Sequence, residues 1–192
     1  MPPIPDADLA LVTATEGWLG ADEARLLLSR AAAVGPDQTI VEIGNYRGRS
    51  TVALALGSRA GAGVQVTTFD PHTPFVGPRG GRFGHADQEA LYANLIRAGV
   101  GALVSVVTLD ARLVGPVWPA RNVGLLFIDG DHRYEAVRAD FLTWAPHLVP
   151  GATVIFDDVD FGDVARCLAE FVADGRLIRR ETVGKVGRFE AP

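Results

Sequence analysis

Two apolar runs that each end in a pair of acids constrain this chain more than any other feature. Leu125-Leu126-Phe127-Ile128 leads into Asp129-Gly130-Asp131-His132, and Ala152-Thr153-Val154-Ile155-Phe156 leads into Asp157-Asp158. A short run without polar alternation fits a strand covered on both faces, as in a parallel sheet between helices. The polar residues that follow then sit at the carboxyl edge of that sheet, where open α/β folds keep their ligand crevices. Acids after a strand also cap helices and turns, so each alone is ambiguous. Two matched strand ends together point to a metal or proton-transfer site.

The rest of the chain keeps the same alternation. Thr39–Ile43 predicts a first buried strand that runs into Gly44-Asn45-Tyr46-Arg47-Gly48-Arg49-Ser50-Thr51, with Val52 to Leu56 continuing as a helix. Strand, glycine-bearing turn, helix is the layout in which backbone N–H groups and a helix N-terminus face a ligand. The dinucleotide fingerprint G-x-G-x-x-G and the phosphate loop G-x-x-x-x-G-K-[ST] are both absent, which argues against an NAD enzyme. Val64 to Phe69 predicts a second strand ending at Asp70, the position that grips a ribose diol in doubly wound nucleoside sites. Asp70-Pro71 is also good turn chemistry. Leu103 to Leu109 predicts a third strand ending at Asp110-Ala111. Helices are expected over Ala21–Ala33, Asp87–Ala98, Tyr134–Trp144 and Gly162–Ala173, the last with Cys167 as a small core residue. Pro146 and Pro150-Gly151 are expected to end the Tyr134 helix. Arg176 to Val183 and Val186 to Phe189 read as a closing hairpin around Gly184-Lys185. These elements predict an α/β fold in one doubly wound domain over residues 1–192. Its seven-stranded sheet is mostly parallel, with a C-terminal antiparallel hairpin and helices on both faces.

Two segments stand outside that alternation. Residues 1–20 read as an irregular, proline-bearing extension, with Trp18 and Leu19 either packing it onto the domain or walling a substrate. Residues 71–86 carry so many breakers that they read as a lid loop or a mobile segment. In a lid, Phe75 and Phe83 would cover a substrate, and Arg79 and Arg82 would meet an anionic group.

Composition narrows the function classes. The 192 residues are enough to bury about 70% of the surface that the unfolded chain would expose. Net charge is −5 without a basic run, which argues against a nucleic-acid surface, although Arg79, Arg82 and Arg179-Arg180 could form a local patch. No apolar segment approaches the ~20 residues of a membrane span, and the first residues lack the pattern of a signal peptide. Cys167 is the only cysteine, which fits a reducing cytoplasm. Arginine supplies all but one of the 18 basic residues, a bias expected of a GC-rich, bacterial genome. With Lys185 as the only lysine, a lysine general base is nearly excluded.

Glu42-Ile43-Gly44-Asn45-Tyr46-Arg47-Gly48-Arg49-Ser50 resembles the cofactor motif of class I S-adenosylmethionine (SAM)-dependent methyltransferases, whose domain is Rossmann-like. The pattern E-x-G-x-Y-x-G-x-S is closest to the catechol O-methyltransferase-like group. Phe127-Ile128-Asp129-Gly130-Asp131-His132-x-Tyr134 and Leu148-x-Pro150-Gly151-Ala152-x5-Asp157-Asp158 resemble the bacterial family of macrocin-type O-methyltransferases and cephalosporin hydroxylase-like proteins. The resemblance implies SAM contacts at Glu42 and Asp70, a turn shaped by Gly44, Tyr46, Gly48 and Ser50 around the methionine portion, and adenine neighbours at Asp110 and Ala111. Asp129 borders the same cofactor site. By the same resemblance, Asp129, Asp157 and Asp158 would hold Mg²⁺, a hard cation suited to oxygen ligands. Ala152 departs from the usual Pro-Gly-Gly turn.

A divalent ion on a substrate oxygen would lower its pKa and fix its direction. The base is left open between Asp131, which the macrocin-type relatives suggest, and His132, which stands where catechol-type relatives carry a lysine. An unperturbed histidine, with a pKa near ~6.5, is a competent base at neutral pH. The expected function is transfer of a methyl group to a hydroxyl of a small molecule, such as a sugar or a phenolic secondary metabolite. The resemblance also allows a homodimer or larger homo-oligomer. Two other readings are a SAM-binding protein without catalysis and a hydroxylase-like oxidoreductase. The latter lacks any His-His-carboxylate iron triad.

Overall fold

The computed structural model describes residues 4–77, 80–119 and 121–192; Arg79, one of the arginines expected to meet an anion, lies outside them. In chain order the elements are α1 (Asp6–Ala14), α2 (Ala21–Ala31), β1 (Thr39–Ile43), α3 (Arg49–Ala60), β2 (Val66–Phe69), β3 (Phe75–Val76), β4 (Arg82–Phe83) and α4 (His85–Arg97). There follow β5 (Val104–Val107), α5 (Ala111–Val114), β6 (Val123–Ile128), α6 (Tyr134–Trp144), β7 (Leu148–Phe156), α7 (Gly162–Ala173), β8 (Ile178–Val183) and β9 (Val186–Glu190). The main sheet has seven strands in the order β5-β2-β1-β6-β7-β9-β8. The first five are parallel, and β9 runs antiparallel to both β7 and β8. Strand order reverses between β1 and β6, which opens a crevice at their carboxyl ends.

Each central strand divides its side chains between two cores. Ile40, Leu125, Phe127 and Ile155 pack with Leu27, Leu28, Leu54 and Leu56 under α1 to α4. Val41, Leu126, Val154 and Phe156 pack with Phe141, Trp144, Leu168 and Phe171 under α6 and α7. Full burial of each such side chain contributes about 1.5–3 kcal/mol, which explains why these runs carry no polar alternation. Parallel register brings Ile43 level with Phe69 and Ile128, and Ile128 level with Phe156. Gly44, Asp70, Asp129 and Asp157 therefore emerge together at one edge of the sheet. Cys167 is buried in the second core, as expected. Among the described residues, no helix is long and apolar enough to cross a membrane.

Several boundaries differ from the sequence expectation. Residues 1–20 are not irregular throughout: α1 forms after Pro5, with Asp6 and Asp8 in its first turn, where acids favour a helix dipole. Its apolar residues do not trace one clean face, so periodicity hides it. The 71–86 segment contains the antiparallel pair β3–β4, closed by the Gly77 N–H bonding to the Gly81 carbonyl, and α4 begins inside it at His85. Helix α3 starts at Arg49, before Val52, because Gly48 caps it. Strands β2 and β5 are shorter than their apolar runs, and Asp110 caps the short helix α5 instead of ending a strand. Pro150-Gly151 lies within β7, where the pairing to β6 shifts register between Val123 and Leu125. A bulge of this kind, inside the sheet, tolerates the missing proline N–H.

Candidate active site

The β1–α3 turn is built for close approach. Gly44 sits at φ +84°, and a Cβ there would overlap the Asp129 carbonyl and come within 2.9 Å of the Gly130 Cα. Only glycine lets β1 and β6 converge this tightly. Tyr46 follows at φ +47°, a conformation that residues with a Cβ adopt at a cost and that clusters at functional sites. The turn is held from the side by Asp70. Its Oδ2 accepts the N–H groups of Asn45 and Tyr46 at 3.2 Å, and its Oδ1 accepts the His72 N–H at 2.9 Å. Beneath the turn, Glu42 is wholly buried and accepts the Thr51 hydroxyl at 2.6 Å. Burial raises its pKa from 4.5 to about 7, despite the hydroxyls of Ser50, Thr51 and Thr68 around it.

A cavity of about 780 Å³ opens above this turn and continues along the sheet edge. At the β5 end, Asp110 accepts the Arg112 N–H at 2.9 Å and pairs with the Arg112 guanidinium, which holds its carboxyl below the usual range. Asp140 on α6 also faces the cavity, 3.7 Å from Arg112 Nε, and burial raises it to about 7. At the other end stand the acids that follow β6 and β7. The Asp129 N–H bonds to the Ile43 carbonyl at 2.8 Å and the Asp157 N–H to the Ile128 carbonyl at 3.0 Å, so both acids are fixed by the sheet. His132 Nε2 lies 3.4 Å from Asp158 Oδ2 and 3.7 Å from Asp129 Oδ1. Asp131 turns to Arg133, accepting its N–H at 3.1 Å and its guanidinium at 2.9 Å. Lys185, from the β8–β9 turn, places Nζ 2.5 Å from Asp157 Oδ2 and 3.1 Å from Asp158 Oδ1. Burial alone would lower its pKa, but Asp157, with Asp129 and Asp158 behind it, holds it above the ordinary lysine value. Burial and the charge of Asp157 push Asp129 well above the usual carboxylate range.

The roof is aromatic. Trp18 stacks on Tyr46 at 4.7 Å between centroids, Phe83 meets both edge-on, and Phe75 stacks on Phe83 at 4.7 Å. Arg49 anchors the Trp18 segment, donating to the carbonyls of Thr15 at 2.5 Å and Leu19 at 2.6 Å. Arg47 bonds to Asp87 at 2.8 Å and to Glu16, joining that segment to the start of α4. The 1–20 and 71–86 segments therefore touch each other at the cavity, through Trp18 and Phe83.

The profile of the methyltransferase domain family matches residues 41–159, more than half of the chain. The chain belongs to that family. It is a class I SAM-dependent methyltransferase. Its fold is similar to that of cofactor-bound Rv0187 from MTB, at 25% identity and a TM-score of 0.70, covering 97% of this chain and 88% of that one. It is also similar to the O-methyltransferase from Bacillus cereus in complex with SAH, at 19% identity and a TM-score of 0.70, covering 98% and 92%. The O-methyltransferase TomG from Streptomyces achromogenes, involved in tomaymycin synthesis and in complex with SAM, matches at 20% identity and a TM-score of 0.70, covering 97% and 90%.

In this methyltransferase Gly44, Tyr46, Ser50, Asp70, Asp110, Ala111, Asp129, Asp131, His132, Asp157 and Asp158 all line the cavity. Glu42 and Gly48 do not; they lie behind the turn, supporting α3. Sequence reasoning missed Lys185, Arg112 and Asp140. Asp140 had a usable signal, an acid in a helix at a core-facing position; Lys185 had none, because its contacts depend on hairpin register. One ligand atom from each of Asp129, His132 and Asp157 lies within 4.8 Å of the others. Mg²⁺ demands near-octahedral oxygen coordination at about 2.0–2.1 Å and keeps several waters. Here one converging group is an imidazole, and Asp157 and Asp158 already hold an ammonium. The Lys185 ammonium stands on two of the three acids that the resemblance assigns to Mg²⁺.

Proposed function

We propose that this methyltransferase methylates a hydroxyl group of a small molecule, a sugar or a phenol. One observation carries the reading: a single cavity joins the glycine turn to the His132 and Lys185 end beneath an aromatic roof. The solved O-methyltransferases of similar fold, bound to SAM or SAH, support it. The cavity volume also suits a cofactor with an acceptor beside it. Bound SAM supplies an electrophilic methyl group on a sulfonium.

The roles follow from position. Gly44, Tyr46 and Ser50 shape the turn around the methionine portion, Asp70 stands beside the ribose, and Asp110 and Ala111 border the adenine. Glu42 acts one layer below, through Thr51. His132 is the base. Its imidazole faces the cavity between Asp129 and Asp158, and those two acids orient it. Asp131 is the weaker candidate, because Arg133 occupies both of its oxygens. No step is routed through Mg²⁺.

Calorimetry with S-adenosylhomocysteine, followed by methyl transfer to a panel of sugars and phenols, tests this reading. His132→Ala is expected to lower kcat by about 10²–10⁴-fold with cofactor affinity retained, and Asp131→Ala to lower it much less. Full kcat in His132→Ala with loss in Asp131→Ala would move the base to Asp131. Absence of cofactor binding in the wild type would sink the reading altogether.

A further inference from the structure

The only lysine of the chain stands where a bound cation would be held. Its ammonium touches Asp157 and Asp158 together and faces the cavity shared with Asp129 and His132. The placement is built from backbone upward. Gly184-Lys185 forms the turn between β8 and β9, with Gly184 at φ +56°, a conformation that glycine adopts freely. The Lys185 N–H donates to Glu23 Oε1 at 2.9 Å, and the Lys185 carbonyl accepts the Val159 N–H at 2.9 Å. Glu23 is itself buried, and its Oε2 accepts the Gly20 N–H at 2.6 Å. Two separate segments therefore hold the hairpin turn: the start of α2 and the residues after β7. Asp158, in the left-handed region at φ +51°, belongs to the second of these.

We propose, on the reading of this cavity as a methyl-transfer site, that the Lys185 ammonium is the resident cation of the enzyme: it replaces a divalent ion on Asp157 and Asp158, beside the acceptor oxygen. Methyl transfer then runs without a divalent metal. A Mg²⁺ bound to the same oxygens, at about 2.0–2.1 Å, would share them with Nζ at 2.5 Å and 3.1 Å. Two cations so close repel strongly in a partly buried site. The His132 imidazole stands on the other side of Asp158 and Asp129, so a second group besides Lys185 already engages these acids.

An ammonium performs part of the metal's task. It has three N–H donors. With two directed to Asp157 and Asp158, the third serves an acceptor oxygen in the cavity and stabilises the negative charge that grows there. The acceptor O–H proton passes to the His132 imidazole, whose Nε2 is turned to Asp158 and Asp129. The acceptor oxygen forms its bond to the methyl carbon as the carbon–sulfur bond breaks, and that bond pair stays on sulfur. The products are a methyl ether, a neutral thioether and an imidazolium. Lys185 keeps its three protons throughout.

Mn²⁺ titration followed by electron paramagnetic resonance, on the full chain with S-adenosylhomocysteine bound, reads the cation position without turnover. The wild type is expected to leave Mn²⁺ free, to give no binding heat with Mg²⁺, and to keep its activity in excess EDTA. Lys185→Met vacates the position and is expected to gain Mn²⁺ affinity by about tenfold or more, with most of its turnover lost. Lys185→Arg retains the charge and is expected to stay without Mn²⁺. Stoichiometric Mn²⁺ binding by the wild type, loss of its activity in EDTA, or equal Mn²⁺ affinity in wild type and Lys185→Met overturns the proposal. The wild-type titration decides by itself if Lys185→Met does not fold. Failure of the wild type to bind S-adenosylhomocysteine overturns instead the methyl-transfer reading beneath it.

Discussion

Glu42→Gln is expected to make the protein more stable than the wild type at high pH, by an amount that vanishes in acid. The Glu42 carboxyl is wholly buried and titrates at about 7 in the folded protein, against 4.5 for an ordinary glutamate. Between those values the folded protein binds one more proton than the unfolded chain, so stability falls as pH rises. The contribution is complete below 4.5 and gone above about 7. At about 1.4 kcal/mol for each pH unit, the interval corresponds to about 3 kcal/mol. Glutamine fills the same space, still accepts the Thr51 hydroxyl and does not titrate. The stability difference between variant and wild type should therefore grow by about 3 kcal/mol from pH 4.5 to pH 8. For a chain of this size that is a shift of about 6–12 °C in relative Tm. Urea unfolding of the cofactor-free protein at the two pH values measures it. A constant offset between the two proteins, whatever its sign, would refute the claim that burial holds Glu42 protonated. Parallel curves are the outcome to look for.

Gly44→Ala is expected to cost about 3–5 kcal/mol of stability and most of the cofactor affinity. Its Cβ would lie 2.6 Å from the Asp129 carbonyl carbon, so the tips of β1 and β6 must separate; unfolding curves matching the wild type would disprove the close approach. Trp18→Ala is expected to change stability by only about 1 kcal/mol, since the side chain is 61% exposed and stacks mainly on Tyr46. It should raise the acceptor KM and leave S-adenosylhomocysteine affinity intact, and the opposite pattern in steady-state kinetics and calorimetry would move Trp18 from the acceptor to the cofactor.

The central frame is legible in the chain because burial on both faces leaves a local mark. Thr39–Ile43 and Val123–Ile128 are observed as expected, and both closing strands fall near their predicted places. Ends are less legible. Val64 and Leu109 are apolar, yet β2 starts at Val66 and β5 stops at Val107, because pairing with the neighbouring strand and not polarity ends a strand. The site residues divide similarly. Those at strand ends, Asp70, Asp129 and Asp157, face the cavity as their position implies. Glu42 carries the same motif but points below it, since alternate residues of a strand leave on opposite faces.

By itself, the order of apolar runs and acids determined which residues gather at one edge of the sheet, since parallel register makes strand ends coincide. That position 44 must be a glycine, where two backbones nearly touch, follows from the fold and not from that order. Only the tertiary structure decided what fills that edge. Lys185 reaches Asp157 because β9 folds back beside β7, pairing Gly187 with Phe156 and carrying the hairpin turn over the acids. Trp18 reaches Tyr46 because Arg49 ties the segment before α2 to the start of α3. No local pattern marks either contact: each depends on where distant elements dock, and a single charge or ring has no periodicity to read.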